Sequence, residues 1–151
     1  AATKSIAQAC DKLQGQVTSG ICTISQRASI AALLADPVKS EDLINMQRAF
    51  LKRRDLVLDL LGQIPDITVN KPAGAFYVFP DVSAYFGKSF GSGKIENSAE
   101  LCDYLLNEVH VALVAGSAFG NNNCIRLSYA TSEDLLIEAI ERIRKALENL
   151  K

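Results

Sequence analysis

Residues 124–130 read Cys-Ile-Arg-Leu-Ser-Tyr-Ala, a run that sets one arginine into an apolar alternation. On a strand, Ile125, Leu127 and Tyr129 share one face, and Cys124, Arg126 and Ser128 the other. An arginine this close to a core needs an anion. Its planar fork suits a carboxylate or phosphate held at two points. A structural ion pair with a buried Asp or Glu, or a solvated arginine on an edge strand, would give the same pattern. The turn just before it, residues 116–120 (Gly-Ser-Ala-Phe-Gly), favours a ligand role, because glycine lets backbone approach a ligand closely. A plain β-turn is the alternative.

Other chemically capable residues offer less. Phe76 follows Gly74 and Ala75 at the start of an apolar run and reads as a core aromatic. Tyr77 and Tyr129 read as core residues or as hydroxyls bonded to backbone. His110 precedes an apolar segment with no acid partner close in sequence, so it reads as structural or exposed. The cysteines, Cys10, Cys22, Cys102 and Cys124, form no Cys-x-x-Cys pair, and the single histidine is distant from them in sequence. No zinc site is expected, and scattered thiols of this kind indicate reduced cysteines in a cytosolic protein. There is no Gly-x-Ser-x-Gly, no phosphate loop and no His-Glu-x-x-His. Residue chemistry alone therefore offers anion recognition, without a nucleophile, a metal or an acid/base pair.

The elements that must position Arg126 can be read from periodicity. Residues 3–17 place Ile6, Cys10, Leu13 and Val17 at helical spacing. Thr18, Ser19 and Gly20 break the pattern. A second helix over 24–35 carries Ala28, Ala31, Ala32 and Ala35 and ends at Asp36 and Pro37. Ser40 is a natural N-cap for a long helix, with Glu41 and Asp42 in its first turn and Gly62 and Pro65 after it. Its basic cluster, Lys52, Arg53 and Arg54, reads as a solvated face. Strands are expected over 67–69, 75–79 and 109–115, the middle one covered on both faces. Residues 86–97, rich in Gly, Ser and Lys, read as a mobile loop. Ser98 is expected to cap a helix with Leu101, Cys102, Leu105 and Leu106 facing inward. The last helix, from Thr131 and Asp134 as a capping box, has a broad apolar stripe ending at Leu150. The order suggests an α+β domain, a small sheet covered by helices.

Composition is globular: 48% hydrophobic and 22% charged over 151 residues, with a formal net charge of -1. That balance gives no electrostatic case for nucleic acid or an anionic membrane as partner. No apolar run is long enough to span a bilayer.

Four segments fall into register with one family: residues 50–55 (FLKRRD), 71–80 (KPAGAFYVFP), 114–120 (VAGSAFG) and 125–132 (IRLSYATS). Their order and spacing resemble the C-terminal part of aspartate aminotransferases, class I pyridoxal-phosphate enzymes of fold type I. The resemblance extends over residues 19–34 (SGICTISQRASIAALL) and is strongest to the bacterial and plastid-like branch acting on aspartate and sometimes prephenate. It implies a parent enzyme that passes an amino group between an amino acid, aspartate or glutamate, and a 2-oxo acid. Pyridoxal 5'-phosphate would be the cofactor, the protein a cytoplasmic homodimer. It also implies that Arg126 grips the substrate α-carboxylate, that Phe76 lies near the substrate with Gly74 giving room at the same wall, and that Thr18 approaches the neighbouring subunit's site.

The departures from the family pattern are equally informative. The Schiff-base lysine of these enzymes lies in a Ser-Lys segment followed by Gly-Trp-Arg, yet this chain has no Trp. The residues that hold the pyridine nitrogen, ring hydroxyl and phosphate belong upstream in the family. The chain is thus expected to be a fragment: residues 1–35 an interdomain helix and connecting segment, residues 36–151 a C-terminal small domain. Cofactor-binding and catalytic residues are expected outside it. Gln14 stands where some members carry an arginine for the side-chain carboxylate, and Ala115 where many carry proline.

Overall fold

Helical periodicity in the first third of the chain produces helices without a core of their own. The computed structural model describes residues 2–91 and 93–151 and divides into two units, Ala1–Ile44 and Asn45–Lys151. In the first unit, α1 (Lys4–Val17) and α2 (Thr23–Leu34) contain no buried residue. Ser19 at φ 60° and Gly20 turn the chain between them, as the Thr18-Ser19-Gly20 break predicts. Helix α3 (Glu41–Leu61) starts beneath Ser40, whose Oγ accepts from the Leu43 N–H, and carries Val57 and Leu61 into the core of the second unit.

The second unit is an antiparallel α+β domain. After α3 come β1 (Tyr77–Val78), a hairpin of β2 (Ser89–Phe90) and β3 (Gly93–Lys94), α4 (Ser98–Val109), β4 (Val114–Ala115), β5 (Ile125–Ser128) and α5 (Glu133–Glu148). The main sheet has the order β1-β5-β4. Tyr77 pairs with Ser128 and Val78 with Leu127 on one flank of β5; Val114 pairs with Arg126 and Ala115 with Ile125 on the other. Ile125 and Leu127 are buried in one cluster with Val57, Leu105, Leu136 and Ile143, while Arg126 is half-buried and Ser128 exposed. The predicted alternation of β5 holds.

Several expectations are corrected. The strand over 67–69 is only a bridge between Thr68 and Asp81. The run 75–79 is a strand only at Tyr77–Val78, and Phe76 is 38% exposed, so it is neither covered on both faces nor a core aromatic of this unit. Residues 109–115 are extended over a much shorter span, because Val109 ends α4 and His110 closes that helix at φ 57° before β4 begins. The expected loop over 86–97, whose residue 92 lies outside the described residues, contains the paired strands Ser89–Phe90 and Gly93–Lys94 and the fully buried Ile95, with reciprocal backbone bonds between Ser89 and Lys151. Asn97, not Ser98, caps α4: its Oδ1 accepts from Ala99 and Glu100, and Leu106 is exposed. Ser132, not Thr131, caps α5, through the Leu135 N–H. The basic cluster is not a free face. Arg54 donates to Asp55 Oδ1 and the Pro72 carbonyl, Lys52 pairs with Glu133, and Arg53 lies over Phe50. Apolar stems let such side chains cover core while the charges find partners.

The C-terminal helix follows its pattern. Leu136, Ile140, Ile143, Ala146, Leu147 and Leu150 are buried, and Glu138 with Arg142 and Glu141 with Lys145 pair one turn apart.

Candidate functional site: an aromatic-flanked arginine on the central strand

Arg126 is the second residue of β5, and β5 lies between β1 and β4. This removes the edge-strand explanation. The ion-pair explanation fails as well. Arg54, Arg142 and Arg144 each hold a carboxylate. Among the described residues Arg126 has neither an ion-pair partner nor a hydrogen-bond acceptor; its neighbours are two rings. Its Cζ lies 4.4 Å from the Tyr77 ring centroid and 4.3 Å from that of Phe119. Both distances are within cation–π range. Tyr77 comes from β1 and Phe119 from the turn after β4, on opposite flanks of β5.

The glycine turn has a different purpose from the one expected. A Cβ on Gly116 would stand 2.2 Å from the Cys124 carbonyl oxygen and 2.3 Å from that of Asn121. Glycine is required because the chain folds back on its own backbone, with Gly116 donating to Cys124 O and Asn121 to Gly116 O. Gly120, at φ 81°, ends the short 3-10 turn Gly116–Phe119. The close approach is to the chain's own backbone, and the turn carries Phe119 to Arg126. Phe79 meets Phe119 edge-on at 6.1 Å.

Phe76 joins this group through Tyr77: their ring centroids are 4.4 Å apart, and Phe76 stacks on Phe50 at 5.9 Å. Gly74 lies at the near end of the same segment. A Cβ there would meet nothing within 4 Å, so no contact within this domain demands glycine. Thr18 lies in the first unit, where it ends α1 and donates its hydroxyl to the Gln14 carbonyl at 3.3 Å. The Arg126 cluster belongs to the second unit. His110 is exposed, its Nδ1 3.3 Å from the Leu106 carbonyl, in keeping with a structural role.

Tyr77 and Phe119 are the neighbours that sequence reasoning did not assign to the site. Tyr77 read as core, and Phe119 stood unremarked inside the glycine turn. The available signal was an aromatic inside a glycine turn just before a strand arginine, which has meaning only once the turn geometry is known.

Clefts lie elsewhere in the domain, two of them above 300 Å³ among the described residues. One, of about 360 Å³, is lined by Phe50, Arg54, Gly74 and Tyr129 with their neighbours; the other, about 330 Å³, lies beside α5 and His110. Neither includes Arg126. Arg54 is the charged group of the first cleft, but Asp55 already pairs with its charge, and Asp55 and the Pro72 carbonyl take three of its five N–H donors. Free donors decide anion binding, so Arg126 and not a cleft is the candidate site.

A sheet with helices and an arginine whose fork is free define an α+β domain built to present one cation. The sequence matches the family "Aminotransferase class I and II" over residues 1–143, and the chain belongs to that family. It is 45% identical over 152 residues to the bifunctional aspartate aminotransferase and glutamate/aspartate-prephenate aminotransferase of Petunia hybrida, covering 100% of this chain and 32% of that protein. A probable aspartate/prephenate aminotransferase of Aquifex aeolicus is 45% identical, over 91% of this chain and 33% of its own length. Among solved structures, the aspartate aminotransferase of Rhizobium meliloti superposes with a TM-score of 0.83 at 42% identity, over 92% of this chain and 34% of that one. The Thermus thermophilus aspartate aminotransferase with maleate gives a TM-score of 0.77 at 31% identity, over 95% and 35%. The chain thus spans about a third of the length of the relatives it matches. Its fold is that of the C-terminal domain of fold type I aminotransferases.

The family implies pyridoxal phosphate. The two rings beside Arg126 do not supply the group that would bond its aldehyde. Bonding its aldehyde takes an amine; in this domain Lys52, Lys71, Lys94 and Lys145 are paired with carboxylates, Lys88 lies over the Tyr85 ring, and the exposed Lys151 is tied through its backbone to Ser89. What surrounds Arg126 is aromatic carbon. The free fork suits a carboxylate or a phosphate, and no chemical step is assigned to it.

Proposed function

We propose that the protein carrying this chain transfers an amino group between an amino acid, aspartate or glutamate, and a 2-oxo acid, with pyridoxal phosphate as its cofactor. The chain's contribution is Arg126, which binds the substrate α-carboxylate through two parallel N–H···O bonds. The observation that carries this reading is a half-buried guanidinium on a central strand with no protein anion to hold. Phe76 and Gly74 form the adjoining wall, and Thr18 faces a neighbouring subunit in a homodimer. Residues 1–35 serve as the interdomain helix and connecting segment, and residues 36–151 as the small domain; the Asp36-Pro37 break supports that boundary. The free thiols of all four cysteines support a cytoplasmic location. Among the described residues no helix is long and apolar enough to cross a membrane.

Gln14, where some relatives hold an arginine, favours a second reading: a related fold type I activity with another amino donor. Amino-donor profiling separates the two, because failure of both aspartate and glutamate removes the first. For Arg126 the test is Arg126→Leu in the intact protein. Two charge-assisted bonds are worth about 3 kcal/mol or more, so amino-acid affinity should fall at least about 100-fold with the cofactor still bound. Unchanged affinity would take Arg126 out of the site.

A further inference from the structure

We propose that Phe119 and Tyr77 are positioning residues that hold the Arg126 guanidinium between two aromatic faces and set the direction of its fork. The inference rests on the reading of Arg126 as a carboxylate binder, and it concerns residues to which neither the sequence motifs nor the relatives' names give a role.

A guanidinium has two kinds of surface. Its faces are weakly hydrated and stack on rings; its edge carries all five N–H donors. The Tyr77 and Phe119 ring centroids, 4.4 and 4.3 Å from Cζ, are close enough to cover the faces. They arrive from opposite flanks of β5, so together they restrict rotation of the head group about its long stem. The donors that remain point within the guanidinium plane, where no described residue accepts them. This is the orientation a carboxylate needs for two parallel bonds. A free arginine loses much rotamer freedom when it binds; one already held between rings loses less.

Phe119 is built for this position rather than for packing. It is 49% exposed, yet it sits on a turn whose first residue must be glycine to let the backbone close, and Phe79 supports it edge-on. Tyr77 is held by β1 pairing and by Phe76. The Tyr77 hydroxyl has no partner among the described residues, so its ring is the functional part.

The test uses the intact holoenzyme and two readouts: the Kd of succinate, a dicarboxylate without an amino group, and the KM and kcat for the amino donor. Phe119→Leu should weaken succinate and raise KM about tenfold, with kcat changed less than threefold. Phe119→Tyr and Tyr77→Phe, which keep the rings, should stay within threefold of the parent; Tyr77→Leu should behave as Phe119→Leu. In ligand-free protein the Arg126 Nε–H resonance, shifted upfield by the rings, should broaden or split in Phe119→Leu as the head group samples several orientations, and stay sharp in Phe119→Tyr. If Arg126→Leu abolishes succinate binding while Phe119→Leu leaves Kd and KM unchanged, the positioning role is overturned and the carboxylate reading stands. If Arg126→Leu leaves Kd unchanged, the carboxylate reading falls and takes the positioning role with it.

Discussion

Tyr129 donates its hydroxyl to the Ala75 carbonyl at 3.0 Å, across a separation of 54 residues. Ala75 is left-handed at φ 61°. The backbone repeats the tie one residue on, where the Tyr129 N–H donates to Phe76 O at 2.9 Å. A non-glycine residue in that region costs about 1–2 kcal/mol and persists only where its surroundings hold it. Tyr129, 2% exposed, is the holder, and the turn it fixes carries Gly74 and Phe76.

Two substitutions separate strain from restraint. Ala75→Gly relieves the left-handed cost against glycine's greater unfolded-state freedom, for a net gain of about 0.5 kcal/mol. Tyr129→Phe removes a hydrogen bond and leaves a carbonyl unpaired, for a loss of about 1–2 kcal/mol. Urea midpoints at unchanged slope measure both. A destabilised Ala75→Gly would contradict the strain.

The four thiols should differ widely in reactivity. Cys22 is exposed at the start of α2, where the Ser25 and Ile24 N–H groups hold its thiol below the ordinary value. Burial, with the Asp103 charge secondary, pushes Cys102 up to about 11. Burial also raises buried Cys124. Because the thiolate is the nucleophile, iodoacetamide at pH 7.5 should label Cys22 first and leave Cys102 and Cys124 intact until urea is added. Peptide mass spectrometry reads the order, and native labelling of Cys102 at the rate of Cys22 would contradict it.

Acid should act on the C-terminal helix through one carboxylate. Hydrogen bonding from Arg144 is the main cause that lowers Glu141 from 4.5 to about 2. A depressed carboxylate stabilises the fold above its unfolded value, so this contribution is intact above pH 4.5 and fades as pH falls toward about 2. The group is exposed, so the effect is small and screened by salt. A carbon-detected NMR titration should find Glu141 still ionised at pH 3, and Arg144→Gln should return its midpoint toward 4.5. An unmoved midpoint would show that Arg144 is not the cause.

What was legible in the sequence follows the strength of the local signal. The C-terminal helix repeats its apolar stripe over several turns, and β5 alternates around a single charge, so both were readable. The caps at Asn97 and Ser132 were each misplaced by one residue, because Asn-Ser and Thr-Ser pairs offer two capping oxygens and only backbone geometry chooses. The apolar run before β4 was read too long, since short apolar stretches fit a helix end and a strand equally well. Arg126 stood out because charge on an apolar strand is conspicuous. Phe119 did not, because its contact depends on backbone closing over Gly116, a three-dimensional fact with no periodicity.

The placement of Arg126 in the middle strand has a mechanical consequence. Its backbone is clamped by neighbouring strands on both sides and its head group by rings from those same flanks. A head group clamped in this way would have little motion independent of the sheet, so a spectroscopic probe fixed on the sheet would follow the arginine's location.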